Sequence, residues 1–329
     1  MTTRRSFLTR TGMAAAASLL TGGRSWALRQ AQQGASAPQA ADAAQPKPDP
    51  VQQMRATAAT ETIKTTKLTD TLFLLEGAGG NVVCQIGPDG KVLIDSQFST
   101  GARHLLDAIA KLDPHPLKLL INTHWHIDHT DGNAALHDAG AFIIALEKTR
   151  ERLSTPQKIE LMGMTFPPAP NSALPQQTFT ESEKIFFNND ELHLTHAPNA
   201  HTDTDIYIYF VRGNVLHTGD VWFNGTYPFI DLGTGGTING MIRGADECLA
   251  VSDDKTKIVP GHGPLGDKAA LQKYRDMLAT AGNRVEKLKI AGNTLEQVVA
   301  QKPTADLDAA WGGGSIKPDV FVGFVYNTL

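Results

Sequence analysis

His124, His126 and His129 fall within six positions of a 329-residue chain that has 11 histidines, and Asp128 stands among them. The stretch reads INTHWHIDHTDG from Ile121 to Gly132. An unpaired imidazole is costly to bury, and a surface loop has no use for such a cluster. The residue types therefore point to a metal ion. In an extended segment positions i and i+2 face the same side, so His124 and His126 can reach one ion. Asp128 and His129 follow where the chain turns and can serve a second ion beside the first.

The remaining ligands must come from other strand ends. Three residues stand in suitable places: His201 in APNAHTDTD, Asp220 at the end of VLHTGD, and His262 at the end of KIVPGHG. Each is polar, lies in a turn rich in small residues and adjoins an apolar strand. Loops held by a rigid sheet are a common place to build a site. Five histidines with two aspartates and no thiolate suit zinc, with iron or manganese as alternatives.

The elements that must hold these residues can be read coarsely. TLFLLEG and NVVCQIGPDGKVLIDS read as strands, the latter pair joined at PDG. GARHLLDAIAKL has helical spacing of Leu105, Ile109 and Leu112. LKLLINT is a short apolar strand, and the histidine cluster begins where it ends. DGNAALHDAG reads as a helix with Asp131 as its cap and Gly140 as its stop. AFIIAL is a further strand. Residues 155–180 read as a long loop or lid that carries Met162, Met164 and Phe166. ELHLTHAP, DIYIYFV, NVLHTGD and KIVPGHG are strands. INGMIRGADECLA and the stretch from Lys268 to Ala291 are helices, with Thr237 as the expected cap of the former. Periodicity alone supports an α/β fold in one domain. The order of elements suggests two sheets face to face with helices outside.

The first residues carry Arg4 and Arg5, a small-residue apolar run from Met13 to Leu20, and SWA at Ser25 to Ala27. This order is that of a twin-arginine export signal over residues 1–27, which implies the twin-arginine export machinery as a partner and a periplasmic or secreted destination. The run is too short and too rich in Ala and Gly for stable membrane insertion. Residues 28–59 are dominated by Ala, Gln and Pro and are expected to be a flexible tether. Residues 60–329 are then the folded domain. The formal net charge is −4, and the signal holds four arginines and no acid, so the remainder is more acidic still. Such a chain is a poor partner for nucleic acid. Cys84 and Cys248 lie in a strand pattern and a helical pattern and read as separate buried thiols.

With H-x-H-x-D-H at His124, His126, Asp128 and His129, then His201 in AHTDTD, Asp220 in HTGD and His262 in PGHGP, the chain resembles the metallo-β-lactamase superfamily from about Thr71 to His262. The resemblance implies an αββα sandwich with the site at one edge between the sheets. It implies a first metal held by His124, His126 and His201, and a second held by Asp128, His129 and His262, with Asp220 bridging both. The reaction implied is hydrolysis of a small substrate by metal-activated water, with Asp128 orienting the nucleophile and passing a proton to the leaving group.

The substrate class is less marked. Zinc β-lactamases generally carry cysteine or serine where this chain has Asp220, and one large group carries a lysine shortly after it. Here the stretch is DVWFNG. The site is more similar to the thioesterase and lactonase branches, and a lactone, thioester or β-lactam is the expected small-molecule substrate. The alternatives are a β-lactamase proper and an iron-dependent oxidoreductase of the persulfide dioxygenase type. Trp125, Trp222, Phe223 and Tyr227 could wall the substrate pocket or pack in the core, and the Tyr227 hydroxyl could donate to a substrate carbonyl. His217 and His196 could steady ligands or make strand-end hydrogen bonds. The aromatic tail, with Trp311, Phe321, Phe324 and Tyr326, could dock on the domain or on a second chain.

Overall fold

The computed structural model describes residues 49–329. The twin-arginine signal and residues 28–48 of the expected tether lie outside the described residues. The end of that tether is corrected. Helix α1 (Pro50–Ala58) begins at Asp49, whose side chain accepts from the Val51 amide at 3.0 Å. Pro50 occupies the first helical position, where its missing N–H leaves no bond unmade. Val51 and Ala58 are buried. Arg55 donates to both carboxylate oxygens of Asp131 at 2.6 and 2.9 Å. One bidentate ion pair and two small apolar contacts thus hold a segment whose composition reads as a linker.

The chain continues through β1 (Lys64–Lys67), β2 (Leu72–Glu76), β3 (Val82–Gln85), β4 (Lys91–Ile94), α2 (Ala102–Leu112) and β5 (Leu117–Ile121). Next come α3 (Ile127–Thr130), α4 (Asn133–Asp138), β6 (Phe142–Leu146) and α5 (Glu147–Ser154). The stretch expected as a lid folds into a small hairpin of β7 (Gln157–Ile159) and β8 (Met164–Phe166), followed by β9 (Gln177–Phe179). The second half holds β10 (Ser182–Phe187), β11 (Asp190–His196), β12 (Ile206–Phe210), β13 (Val215–His217), α6 (Ile238–Val251) and β14 (Lys257–Val259). It closes with α7 (Lys268–Ile290), α8 (Leu295–Ala300), α9 (Asp308–Trp311) and α10 (Pro318–Thr328).

The first sheet has the order β1-β2-β3-β4-β5-β6-β9, and the second runs from β10 to β14 in sequence order. In the first, β1 to β4 are antiparallel neighbours and β4, β5, β6 and β9 are parallel. In the second, β14 lies parallel to β13 and the other neighbours are antiparallel. β3 and β4 are buried along their whole length, as strands covered on both faces must be.

Three apolar layers account for this burial. Leu72, Leu74, Ile94 and Ile121 of the first sheet meet Leu194, Ile206, Ile208 and Val259 of the second. The outer face of the first sheet packs on Leu105, Ile109 and Leu136 from α2 and α4. The outer face of the second packs on α6, α7 and α10 through Met241, Leu278 and Phe321. The result is the αββα sandwich expected. The aromatic tail docks on its own domain: Phe321 and Phe324 are buried, and the Phe321 ring stacks on Tyr227 at 4.3 Å. Asp131 does not cap α4, whose N-cap is Gly132 without a side-chain bond. Its carboxylate is instead held by Arg55 and Ser99. Among the described residues, no helix is long and apolar enough to cross a membrane.

Cys84 and Cys248 are both free and buried, and burial pushes the Cys84 thiol up to about 12 and raises that of Cys248. Neither thiol should react with a disulfide reagent at pH 8 in the native protein, and both should react in denaturant. Fast labelling of the native chain would contradict the placement. Arg55→Ala should cost on the order of 1 kcal/mol, read as a lower unfolding midpoint in urea. It should also raise proteolytic cutting within α1.

Candidate metal centre

One edge of the sandwich gathers all seven residues singled out by their spacing. β5 ends at Ile121 and leads directly to His124, His126, Asp128 and His129. His201 lies in the connection from β11 to β12. Asp220 lies in a 3₁₀ turn (Gly219–Val221) just after β13, and His262 follows β14. Because β11 and β13 both run antiparallel to β12, and β14 runs parallel to β13, these ends share one edge.

The donors form two sets. Ligand atoms of His124, His126, His201 and Asp220 lie within 4.8 Å of one another, as do those of Asp128, His129 and His262. Asp220 stands between the sets. Its Oδ2 is 3.4 Å from His201 Nε2, 3.8 Å from His124 Nε2 and 3.5 Å from His262 Nε2, and its Oδ1 is 3.2 Å from His129 Nε2. Asp128 Oδ2 is 3.1 Å from His262 Nε2 and 3.6 Å from His129 Nε2. Close approach here needs glycine. A Cβ on Gly261 would stand 1.9 Å from Asp220 Oδ1, and one on Gly80 would stand 2.0 Å from the His129 ring.

The far nitrogen of four imidazoles is bonded to an outer acceptor, which fixes each tautomer. His129 Nδ1 donates to Asp95 Oδ2 at 2.7 Å, because a carboxylate can only accept. His126 Nε2 donates to Asp231 Oδ2 at 3.1 Å, and His201 Nδ1 donates to the Phe229 carbonyl at 2.8 Å. Thr123 Oγ1 donates to Asp95 Oδ2 at 2.7 Å and so accepts from His124 Nδ1 at 3.0 Å. The inward nitrogens of the neutral His124, His126 and His201 rings are then lone pairs. His126 Nδ1 and His201 Nε2 face each other at 2.7 Å, and His129 Nε2 faces His262 Nε2 at 3.3 Å. Two further buried atoms, His124 Nε2 and Asp220 Oδ1, have no hydrogen-bond partner. Buried acceptors turned on one another are unfavourable, and a cation between them removes the conflict. The residues therefore fit a metal site of His and Asp ligands. Outer acceptors of this kind orient and strengthen imidazole ligands.

The charge balance agrees with this geometry. Burial opposes charge on His129 and His262, yet Asp220 and Asp128 outweigh it. The His129 pKa is raised well above the ordinary imidazole value, and that of His262 is raised to about 10. Burial would push Asp220 and Asp128 up, but the surrounding histidines hold both below the usual carboxylate range. His124 and His201 are lowered by burial, His201 to about 4. Two ionised carboxylates thus draw positive charge onto the His129 and His262 side of the cluster, while burial keeps His124 and His201 neutral.

Asp95 and Asp231 escape a reading of spacing, since a lone aspartate after a strand or in a turn is common. Asp95 follows β4, on the strand beside β5, and is fully buried. Its φ is 69°, and Gln97 two residues on has φ 54°. This left-handed backbone is unfavourable for both residues. Here it is held by bonds from Thr123 and His129 to the Asp95 carboxylate.

A cavity of about 410 Å³ opens onto the donors and is lined by Phe223, Tyr227, Phe229 and the β7–β8 hairpin. Phe223 stacks on the His262 ring at 5.2 Å. The aromatic residues expected as pocket walls divide accordingly. Phe223 and Tyr227 line the cavity. The Tyr227 hydroxyl, however, donates to Asp308 Oδ1 at 2.8 Å and is not directed at a substrate carbonyl. Trp125 lines a neighbouring cavity of about 330 Å³. Trp222 does not reach the cavity: it is fully buried in the core, with its ring against Gly266. His217 makes strand-end hydrogen bonds, donating to the Asn81 carbonyl and accepting from the Gly219 amide. Thr237 caps α6 as expected, accepting from the Gly240 amide at 2.9 Å.

A family model described as the metallo-beta-lactamase superfamily matches residues 76–262. The chain belongs to this superfamily. A probable metallo-hydrolase of Methanocaldococcus jannaschii is 27% identical over 186 residues, which make up 54% of this chain and 85% of the relative. Among solved structures, a metallo-β-lactamase from Pontibacter korlensis superposes with a TM-score of 0.56 at 18% identity, covering 66% of this chain and 99% of that one. The stereoselective inverting sec-alkylsulfatase Pisa1 from Pseudomonas sp. gives 0.61 at 20% identity over 80% of this chain. This chain spans 50% of the alkylsulfatase's length. At these identities the structural neighbours share the fold. Members of this superfamily include metallo-hydrolases, and the His and Asp groups here match that kind of metal site.

Asp95→Asn keeps the shape and removes the charge on which His129 leans directly and His124 leans through Thr123. It should weaken metal affinity roughly 10- to 100-fold, measured by competition with a chromophoric chelator. An unchanged affinity would remove Asp95 from the support of the site.

Proposed function

We propose that the protein is a periplasmic binuclear zinc hydrolase, exported by the twin-arginine route, that cleaves a small carbonyl substrate such as a lactone, thioester or β-lactam. The observation that carries this reading is Asp220, whose two oxygens face both donor sets where the cavity opens onto them. Two divalent cations held there would lower the pKa of water toward about 7 and polarise a substrate oxygen. His124, His126 and His201 would hold the first, Asp128, His129 and His262 the second, and Asp220 both. The mixture of imidazole and carboxylate without thiolate favours zinc and a catalytic rather than a closed structural site.

Asp128 has a second task in this reading. It lines the cavity as well as the donor cluster, and its depressed pKa keeps it an acceptor at neutral pH. It can hold the attacking water by its proton and then deliver a proton to the leaving group. Phe223, stacked on His262, limits water at the reacting side and keeps that ring in place.

The test is turnover by the purified mature chain loaded with zinc. A lactone, a thioester and a chromogenic cephalosporin are each offered with and without chelator. Chelator-sensitive hydrolysis of one class is the expected result, with two zinc ions per chain by elemental analysis. Asp128→Asn should keep the fold by circular dichroism and lose turnover by about 10²-fold or more. Stoichiometric iron with a visible chromophore would overturn the zinc reading, and an unimpaired Asp128→Asn would remove that residue from the mechanism.

A further inference from the structure

The apolar part of the cavity lining includes three segments far apart in sequence. Met54 comes from α1 and Ile316 from the turn before α10. The β7–β8 hairpin brings Ile159, Met162, Met164 and Phe166. Met54 and Ile316 lie outside the region matched by the family model, residues 76–262. This part of the surface is therefore supplied by segments beyond the superfamily core. The thioether chains of Met54, Met162 and Met164 are flexible and can fit around a ligand of variable length. A volume of about 410 Å³ suits a small molecule with a substituent.

The charge pattern narrows the ligand further. No lysine or arginine lines this cavity among the described residues. Its carboxylates and imidazoles are Asp128, Asp220, His126, His201 and His262, all of them in the donor cluster. Arg55, next to Met54 in sequence, is committed to Asp131, and Arg152 is committed to Asp203 at 2.8 and 3.2 Å. A substrate whose remote anionic group rested on this apolar wall would hold it there without a counter-charge, which is strongly unfavourable.

We propose that the substrate is an ester, thioester or lactone with an extended apolar substituent and no ionic group away from the reacting carbonyl. The substituent lies on Met54, Met162, Met164 and Ile316. This rests on the hydrolase reading above. In the reaction, water adds to the carbonyl carbon and the C–O or C–S bond breaks. The products are a carboxylate, an alcohol or thiol, and one proton released to solvent. Nothing is oxidised or reduced. Burial of each added methylene should tighten binding roughly fourfold.

The experiment uses the zinc-loaded mature chain with 4-nitrophenyl acetate, butyrate, hexanoate and octanoate below their micellar concentrations. The 4-nitrophenyl monoester of suberic acid serves as the carboxylate-ended match to octanoate. In parallel, calorimetry measures binding of the uncharged ketones butanone, hexanone and octanone to the same protein. The expected result is a chelator-sensitive kcat/KM that rises roughly fourfold per methylene, chiefly through KM, until the cavity is filled. The suberate ester should fall at least about tenfold below octanoate, and ketone affinity should climb in step with length. Met162→Arg, at a half-buried position, should reverse the order of the octanoate and suberate esters. Chelator-sensitive turnover that is flat with chain length, or that favours suberate, overturns the proposed substrate class and leaves the hydrolase reading standing. Ketone affinity that climbs with length while no ester shows chelator-sensitive turnover overturns the hydrolase reading and the substrate class with it.

Discussion

Buried lone pairs turned toward one another are the constraint around which this fold is arranged. His126 and His201 present unprotonated nitrogens at 2.7 Å, and Asp220 Oδ1 and His124 Nε2 find no donor. Protein interiors rarely leave such groups unsatisfied. The arrangement is stable only if positive charge occupies the middle, and imidazoles and carboxylates brought by separate strand ends hold that charge from several directions. The two sheets serve this end. Their shared apolar layer fixes the strand ends in register, so loops of only a few residues can place ligands without freedom to drift apart.

Orientation is enforced from outside the cluster. Asp95 accepts from Thr123 and His129 and, through Thr123, governs the tautomer of His124. It does so from a left-handed backbone that a side chain ordinarily avoids. Strain of this kind persists where surrounding bonds overdetermine it. The bonds from the Thr123 amide, the Thr123 hydroxyl and the His129 ring, at 2.8, 2.7 and 2.7 Å, overdetermine it here. Asp231 and the Phe229 carbonyl do the equivalent for His126 and His201 from the segment after the 3₁₀ turn of Asp220. The stretch from Asp220 to Asp231 thus carries a ligand, a cavity wall and the outer support of two other ligands.

The donors were legible because their chemistry is dense in sequence. Three histidines in six positions around an aspartate have little use apart from holding a metal, and His201, Asp220 and His262 each adjoin a recognisable apolar strand. The layered fold was legible from alternating strands and helices together with the family resemblance. What was not legible depends on tertiary partners. α1 has the composition of a tether, and Arg55 gives it order through Asp131, 76 residues away. Trp222 and Tyr227 looked alike as aromatic neighbours of Asp220, yet core packing takes one ring entirely and Asp308 takes the other's hydroxyl. Asp95 and Asp231 lacked any local mark, because an outer hydrogen bond to an imidazole has no characteristic spacing.

These elements, hidden in the sequence, have a common place in the molecule. α1 reaches the cavity through Met54 and is pinned to Asp131, which follows Asp128 closely in the segment that carries the ligands. The tail reaches it through Ile316, with Phe321 stacked on Tyr227 and Phe324 beside Phe229. Phe229 in turn holds His201 through its carbonyl. The walls of the cavity and the bonds that aim the donor residues therefore share residues. A shift of the tail against Phe229 would be felt at His201, and a shift of α1 would be felt at the loop of Asp128. In this domain the shape of the cavity and the setting of the donor residues are one packing problem, solved in part by segments that lie outside residues 76–262.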